Sequence, residues 1–114
     1  MAQTDWKTFT DQTNERMAEA RKAFPGAAKA FGELAKAAIA PGVMDSKTKE
    51  LIALAIGIAM RCDGCLAFHV KAAARFGATR EEVAETVAVA VYMGGGPSMI
   101  YGAEALNAWD ALTG

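Results

Sequence analysis

Residues 51–60, LIALAIGIAM, form a run of ten positions without a polar side chain, and that run limits what the chain can become. A helix that is apolar all round must be covered all round. Ten residues are too few to cross a bilayer, which takes about 20. The run therefore predicts the central helix of a bundle, or a helix held between the core and a second subunit. Glu50 precedes it as a lone carboxylate, and Arg61 leads out of it into Cys62-Asp63-Gly64-Cys65. His69, the only histidine, follows four residues later, and both cysteines of the chain lie in this stretch.

The flanking pattern is helical throughout. Over residues 4–24, Trp6, Phe9, Thr13, Met17, Ala20 and Phe24 recur at steps of three and four and predict one buried face, ended by Pro25-Gly26. A second helix is expected over 27–38 with Phe31, Leu34, Ala35 and Ala38 inward, before the break at Ala40-Pro41-Gly42. Asp45 and Ser46 are N-cap candidates for the apolar helix, expected over 47–61. A fourth helix should start at Cys62 or Asp63 and run to Phe76, with Gly77 as its cap. Thr79 and Glu82 have the spacing of a capping box for a fifth helix reaching about residue 93. Val87, Val89 and Val91 alternate as a strand would, but the capping box, the interspersed alanines and the lack of a partner strand favour helix. After Gly94-Gly95-Gly96-Pro97, Ser98 is expected to cap a last helix with Met99, Ala103, Leu106 and Trp109 inward. The expected fold is an all-α bundle of about six helices in a single domain, residues 1–114, with the CxxC at the start of a helix in a helical hairpin.

Composition narrows the function. Twelve basic and thirteen acidic residues are spread along the chain for a net charge of −1, so nucleic acid is not an expected partner. The N-terminus lacks the basic-then-apolar order of a signal peptide, and with no membrane span the default expectation is a soluble, cytoplasmic protein. In a reducing compartment two cysteines at CxxC spacing point to redox or metal chemistry rather than a staple. The apolar share of 53% is more than one small core hides and suggests a subunit interface.

On one helix, Cys65 lies about 60° and His69 about 20° from Cys62, so the three share a face. Cys65 and His69 are an i, i+4 pair, within reach of proton exchange. CxxC spacing lets the two thiols close a small disulfide. Helix N-terminal amides favour a thiolate and the imidazole can accept its proton, which together supply a nucleophile, a resolving thiol and a base. If the chain reverses near Arg61-Cys62, the height difference between Glu50 and His69 falls to roughly 6 Å, and Glu50 can orient His69 or share its proton. Two other readings stand beside this one: zinc held by Glu50, Cys62, Cys65 and His69, and purely structural residues. Covalent haem is disfavoured because Leu66, not histidine, follows Cys65, and a thioredoxin fold because no βαβ pattern surrounds the motif. Cys65 is nearer His69 and Cys62 nearer the helix start, so spacing leaves the attacking thiol open. Tyr92 and Tyr101 could each place a hydroxyl near the site, and Met44, Met60, Met93 and Met99 could line an apolar pocket.

Glu50, eleven intervening residues, Cys62-x-x-Cys65, three residues and His69 resemble the signature of AhpD-like alkyl hydroperoxidases of the carboxymuconolactone decarboxylase superfamily. The text HVKAAARFGATREEVAETVAVAVYMGGGP is similar to the same superfamily. The likeness spans about residues 30–110, is most specific over 45–97, and leaves the N-terminal helix, residues 1–26, outside. It implies an all-α fold and a thiol-dependent peroxidase or disulfide reductase that needs no cofactor and no metal beyond a redox-active Cys62–Cys65 pair. Glu50 and His69 would form the proton relay. The implied partners are a small hydroperoxide, a thiol or dithiol reductant, and further copies of the chain in a homohexamer built from dimers. Well-studied members carry a second histidine where this chain has Gly64. The superfamily also holds decarboxylases of a carboxylated lactone, which share the histidine but not the cysteine pair. Lyase chemistry, or a redox-sensing or zinc-binding oligomer without catalysis, are therefore the alternatives.

Overall fold

Within residues 5–114, which the computed structural model describes, the chain forms six α-helices and no strand. They are α1 (Trp6–Ala23), α2 (Pro25–Ile39), α3 (Ser46–Ala59), α4 (Asp63–Arg75), α5 (Arg80–Gly94) and α6 (Gly96–Thr113). The expected first-helix residue Thr4 lies outside the described residues.

The helix ends follow local chemistry. The Asp45 carboxylate accepts the Thr48 N–H at 2.7 Å and starts α3. At α5 the capping box is complete: the Thr79 hydroxyl accepts the Glu82 N–H at 3.1 Å, and the Glu82 carboxylate accepts the Thr79 N–H at 2.9 Å. Gly77, at φ +91°, closes α4 in the left-handed conformation that glycine adopts most cheaply. Its N–H donates to Ala74 O, and that of Ala78 to Ala73 O. Gly95, at φ +74°, turns α5 directly into α6.

Helices α3, α4, α5 and α6 pack on one another and α1 lies across α4 and α6. Their core holds Leu54 and Ile58 of α3, Leu66 and Val70 of α4, and Val83 and Val87 of α5. Small residues complete it: Ala67, Ala90, Ala105 and Ala108. Trp6 is the one large α1 residue fully inside, and its Nε1–H donates to Asn107 Oδ1 at 2.9 Å. Between the helices, Arg80 makes a forked pair with Asp110 at 2.8 and 3.1 Å, and Lys47 pairs with Glu82 at 2.9 Å.

The structure departs from the expected burial pattern in four helices. The α1 stripe buries only its first half, because α1 leaves the bundle beyond Thr13: Met17 and Phe24 are exposed. Helix α2 has no fully buried residue; Phe31 and Leu34 are 69% and 63% exposed, since α2 packs mainly on α1 and α3 at the edge of the bundle. Within this chain α3 is covered on one side only, with Ile52 and Ile56 facing outward at 44% and 53% exposure, so it is not a central helix of the single-chain bundle. In α6, Gly95 rather than Ser98 occupies the cap, with Pro97 in the first turn; Leu106 and Trp109 pack against the core as expected, Met99 and Ala103 are exposed, and the most deeply buried residues are Ser98, Gly102, Ala105 and Ala108. Small residues face inward there because α5 comes so close that a Cβ on Gly102 would sit 2.5 Å from Val87 Cγ1.

Glu82 ties the capping box to Lys47, and the Lys47 hydrogen bond is the main reason its carboxyl titrates below the usual range, with the Thr79 N–H adding to it. A group with a depressed folded pKa contributes stability above its unfolded pKa and loses it as pH falls through the folded value. Glu82→Gln is therefore expected to lower Tm at neutral pH, with the gap to wild type closing under acid. Thermal melts of both proteins from neutral to acidic pH check this.

Candidate active site

The site is built on the reversal between α3 and α4. The Cys62 N–H donates to Gly57 O at 3.0 Å and the Arg61 N–H to Ile58 O at 3.1 Å, which is the paired bonding of a Schellman motif. Arg61 holds the left-handed position at φ +57°, the one residue other than glycine with positive φ among the described residues. A left-handed backbone costs such a residue roughly 1 kcal/mol. Cys62 then becomes the N-cap of α4: its sulfur accepts the Cys65 N–H at 3.2 Å. Cys62 and Cys65 are joined in a disulfide across a Cα–Cα distance of 5.2 Å.

Close approach of the two helices sets their register. A Cβ on Gly57 would lie 2.8 Å from Cys65 Cβ, so α3 and α4 touch through a glycine at this point. Further from the turn, Glu50 Oε1 and His69 Nδ1 meet at 2.6 Å across 19 residues of sequence. Glu50 is 6% exposed, while the His69 side chain is partly open. A carboxylate this deep needs a hydrogen-bonded partner. The contact engages Nδ1 of the ring and leaves Nε2 free of Glu50. His69 follows Cys65 by one turn of α4.

At the mouth, the Tyr101 phenol of α6 is pushed above its usual range, first by desolvation and then by the facing Asp63 carboxylate, with Arg61 opposing. Gly64, at the position of the missing second histidine, looks toward α1, where a Cβ would be 3.9 Å from Thr13 Cγ2. Among the described residues no group of three or more His, Cys, Asp and Glu side chains is placed to hold a metal. Of the residues singled out from sequence, Glu50 and His69 are brought into contact, Cys62 and Cys65 are bonded, and Tyr92 is exposed on α5. Met60, Met93 and Met99 are largely exposed, and Met44 is 42% exposed. Gly57 and Arg61 were not anticipated. A lone glycine inside an apolar helical run is the signal that marks Gly57; nothing in the sequence marks Arg61 as left-handed.

The profile of the carboxymuconolactone decarboxylase family matches residues 25–108, most of the chain. The chain belongs to the carboxymuconolactone decarboxylase family. The apo crystal structure of a member of this family from Legionella pneumophila superposes with a TM-score of 0.92 at 44% identity, covering 96% of this chain and 97% of that one. A Thermotoga maritima member, named as a candidate for involvement in an antioxidative response, gives 0.81 at 28% identity over 91% and 89%. An uncharacterised protein of Cupriavidus necator is 41% identical over 109 residues, 96% of each chain.

If Gly57 sets the register of this family member's hairpin, Gly57→Ala must separate α3 from α4 at Cys65, because neither backbone can yield cheaply. Overpacking of this kind costs about 1–3 kcal/mol. Urea unfolding is expected to show that loss, whereas Gly32→Ala, where a Cβ meets nothing within 4 Å, should not destabilise.

Proposed function

We propose that this chain is a dithiol peroxidase of small organic hydroperoxides, working through Cys62 and Cys65 with Glu50 and His69 as proton relay. The observation that carries the reading is a CxxC disulfide at the start of α4, one turn from a histidine whose Nδ1 meets a buried carboxylate at 2.6 Å. In the reduced protein the α4 amides favour a thiolate at Cys62, whose sulfur already accepts one of them, and His69 is placed nearer the Cys65 proton. A thiolate attacks the terminal peroxide oxygen and the O–O bond breaks. The leaving alkoxide takes a proton from the imidazolium and departs as alcohol, leaving a sulfenic acid. The imidazole, now neutral, takes the proton of the second thiol; that thiolate attacks the sulfenic sulfur, the S–O bond breaks, the hydroxide recovers the proton and leaves as water, and the Cys62–Cys65 disulfide forms. An external thiol or dithiol returns the two electrons. No cofactor is required. The naming of the Thermotoga relative as an antioxidative candidate supports the same reading.

We also propose that the working form is a homo-oligomer, a hexamer built from dimers. The chain exposes 6974 Å², against roughly 6,000 Å² for a compact monomer of its mass. The excess is about one partner's share of a standard interface. No helix among the described residues is long and apolar enough to cross a membrane, so the exposed apolar faces are assigned to protein contacts. Sedimentation should give about six times the mass of the chain.

A second reading, a lyase acting through Glu50 and His69 alone, is favoured by the family's name. The two separate cleanly. Reduced wild type should consume cumene hydroperoxide and lose about two daltons as the disulfide closes. Cys62→Ser and Cys65→Ser should each lose turnover, and Glu50→Gln should fall at least about a hundredfold. Peroxide consumption unchanged in Cys65→Ser would sink the peroxidase reading; lactone turnover surviving loss of both cysteines would establish the lyase.

A further inference from the structure

Residues 14–40 contain no buried position, although α1 and α2 occupy most of them. A fifteen-residue helix such as α2 is marginal alone in water and is held by packing of an apolar face. Helix α2 has that face. Ala27, Ala28, Phe31, Leu34, Ala35 and Ala38 fall on one side of it, and Lys29, Glu33 and Lys36 on the other. The apolar side borders a groove of about 650 Å³ between α2 and α1, whose α1 wall is Met17, Ala20, Arg21 and Phe24. Arg21 is the one charged residue among those lining it.

The surface of α2 is uneven in a way that fits itself. Phe31 and Leu34 stand out as an exposed ridge, and Ala28 and Ala35 beside them leave a trough. The area agrees with a second copy. The chain exposes 6974 Å², an excess over a compact monomer of its mass of about one partner's share of a standard interface.

We propose that the groove between α1 and α2 seats a second copy of this chain, in an isologous contact in which Phe31 and Leu34 of each α2 enter the trough of the other. The proposal rests on the homo-oligomer reading and names the face that forms the dimer. Under a two-fold axis one ridge-to-trough fit is made twice, so a single helix supplies both halves of the contact. An unrelated partner would be matched by the trough alone and would leave the ridge in water. Lys29, Glu33 and Lys36 stay outward and hydrated, so the contact buries no unpaired charge from α2.

The test compares wild type, Phe31→Glu, Leu34→Glu and Glu33→Lys by sedimentation velocity. Loss of an isologous contact splits an assembly built from dimers, so the first two variants are expected to lose at least about half of the wild-type mass. Glu33→Lys, on the polar side of the same helix, should sediment with wild type. A second measurement leaves α2 intact: a chain carrying Phe31→p-benzoylphenylalanine is refolded together with isotope-labelled chain and photolysed. Capture of residues 17–35 of a labelled copy is expected. Capture confined to the probe's own chain, or landing on α3, α5 or α6 of the other copy, would overturn the proposal. So would wild-type mass in both glutamate variants, which leaves the oligomer reading standing with its dimer contact on another face. Wild type sedimenting as a monomer would sink both, and leave the groove to an unrelated protein or a lipid surface.

Discussion

The contact between Gly57 and Cys65 governs the geometry of the site. Gly57 does two things at once: its missing side chain lets α4 lie against α3, and its carbonyl accepts the Cys62 N–H that reverses the chain. Turn and packing are thereby locked to the same residue. Sliding one helix along the other by a turn, about 5.4 Å, would drive a side chain into the gap that Gly57 leaves. With that register fixed, the residues that meet further down are no longer free to vary, and Glu50 falls opposite His69. The apolar run of α3 thus acts as a ruler between the disulfide and the carboxylate.

Burial gives the Glu50–His69 contact its chemical meaning. A carboxylate withdrawn from water is costly unless a donor satisfies it, and breaking such a pair costs more than never having formed it. His69 supplies the donor while keeping part of its ring open. The inner end is therefore held while the outer nitrogen remains available for proton exchange. The same division holds at the cysteines, where Cys62 is fixed as the helix cap and Cys65 is fixed against Gly57. Each reactive group is positioned by α3 or α4 and not by a mobile loop, which suits chemistry that must close a disulfide and reopen it in the same place.

Sequence patterns carried the parts of the fold that local chemistry decides. Asp45, the Thr79–Glu82 box and Gly77 act through bonds to residues a few positions away, and spacing alone reveals such bonds. The hairpin that unites Glu50 and His69 was legible for the same reason, being two helices joined by a short reversal. The α6 register was legible only in part: Leu106 and Trp109 pack against the core as their spacing implies, and Met99 and Ala103 do not. Its most apolar residues, Met99 and Ile100, face outward, and its inner face is Ser98, Gly102, Ala105 and Ala108. Hydropathy weighs large side chains, whereas close helix packing selects small ones, so the two signals point to different faces of one helix. Arg61 stayed hidden because a left-handed residue announces itself in sequence only when it is glycine or asparagine.

The misread faces have one property in common. Phe31 and Leu34 on α2, Ile52 and Ile56 on α3, and Met99 and Ile100 on α6 are apolar at helical spacing and yet open to solvent in the single chain. Periodicity records which face of a helix is apolar, without saying what covers that face. A core built from Ala67, Ala90, Ala105, Ala108 and Gly102 leaves large apolar side chains over, because alanine and glycine fill the inter-helix space first. Those surplus side chains must be covered from outside or remain as patches that favour association. On this view the alanine-rich interior and the exposed apolar faces are related: where helices approach as closely as at Gly57 against Cys65 and Gly102 against Val87, only small residues fit at the point of contact.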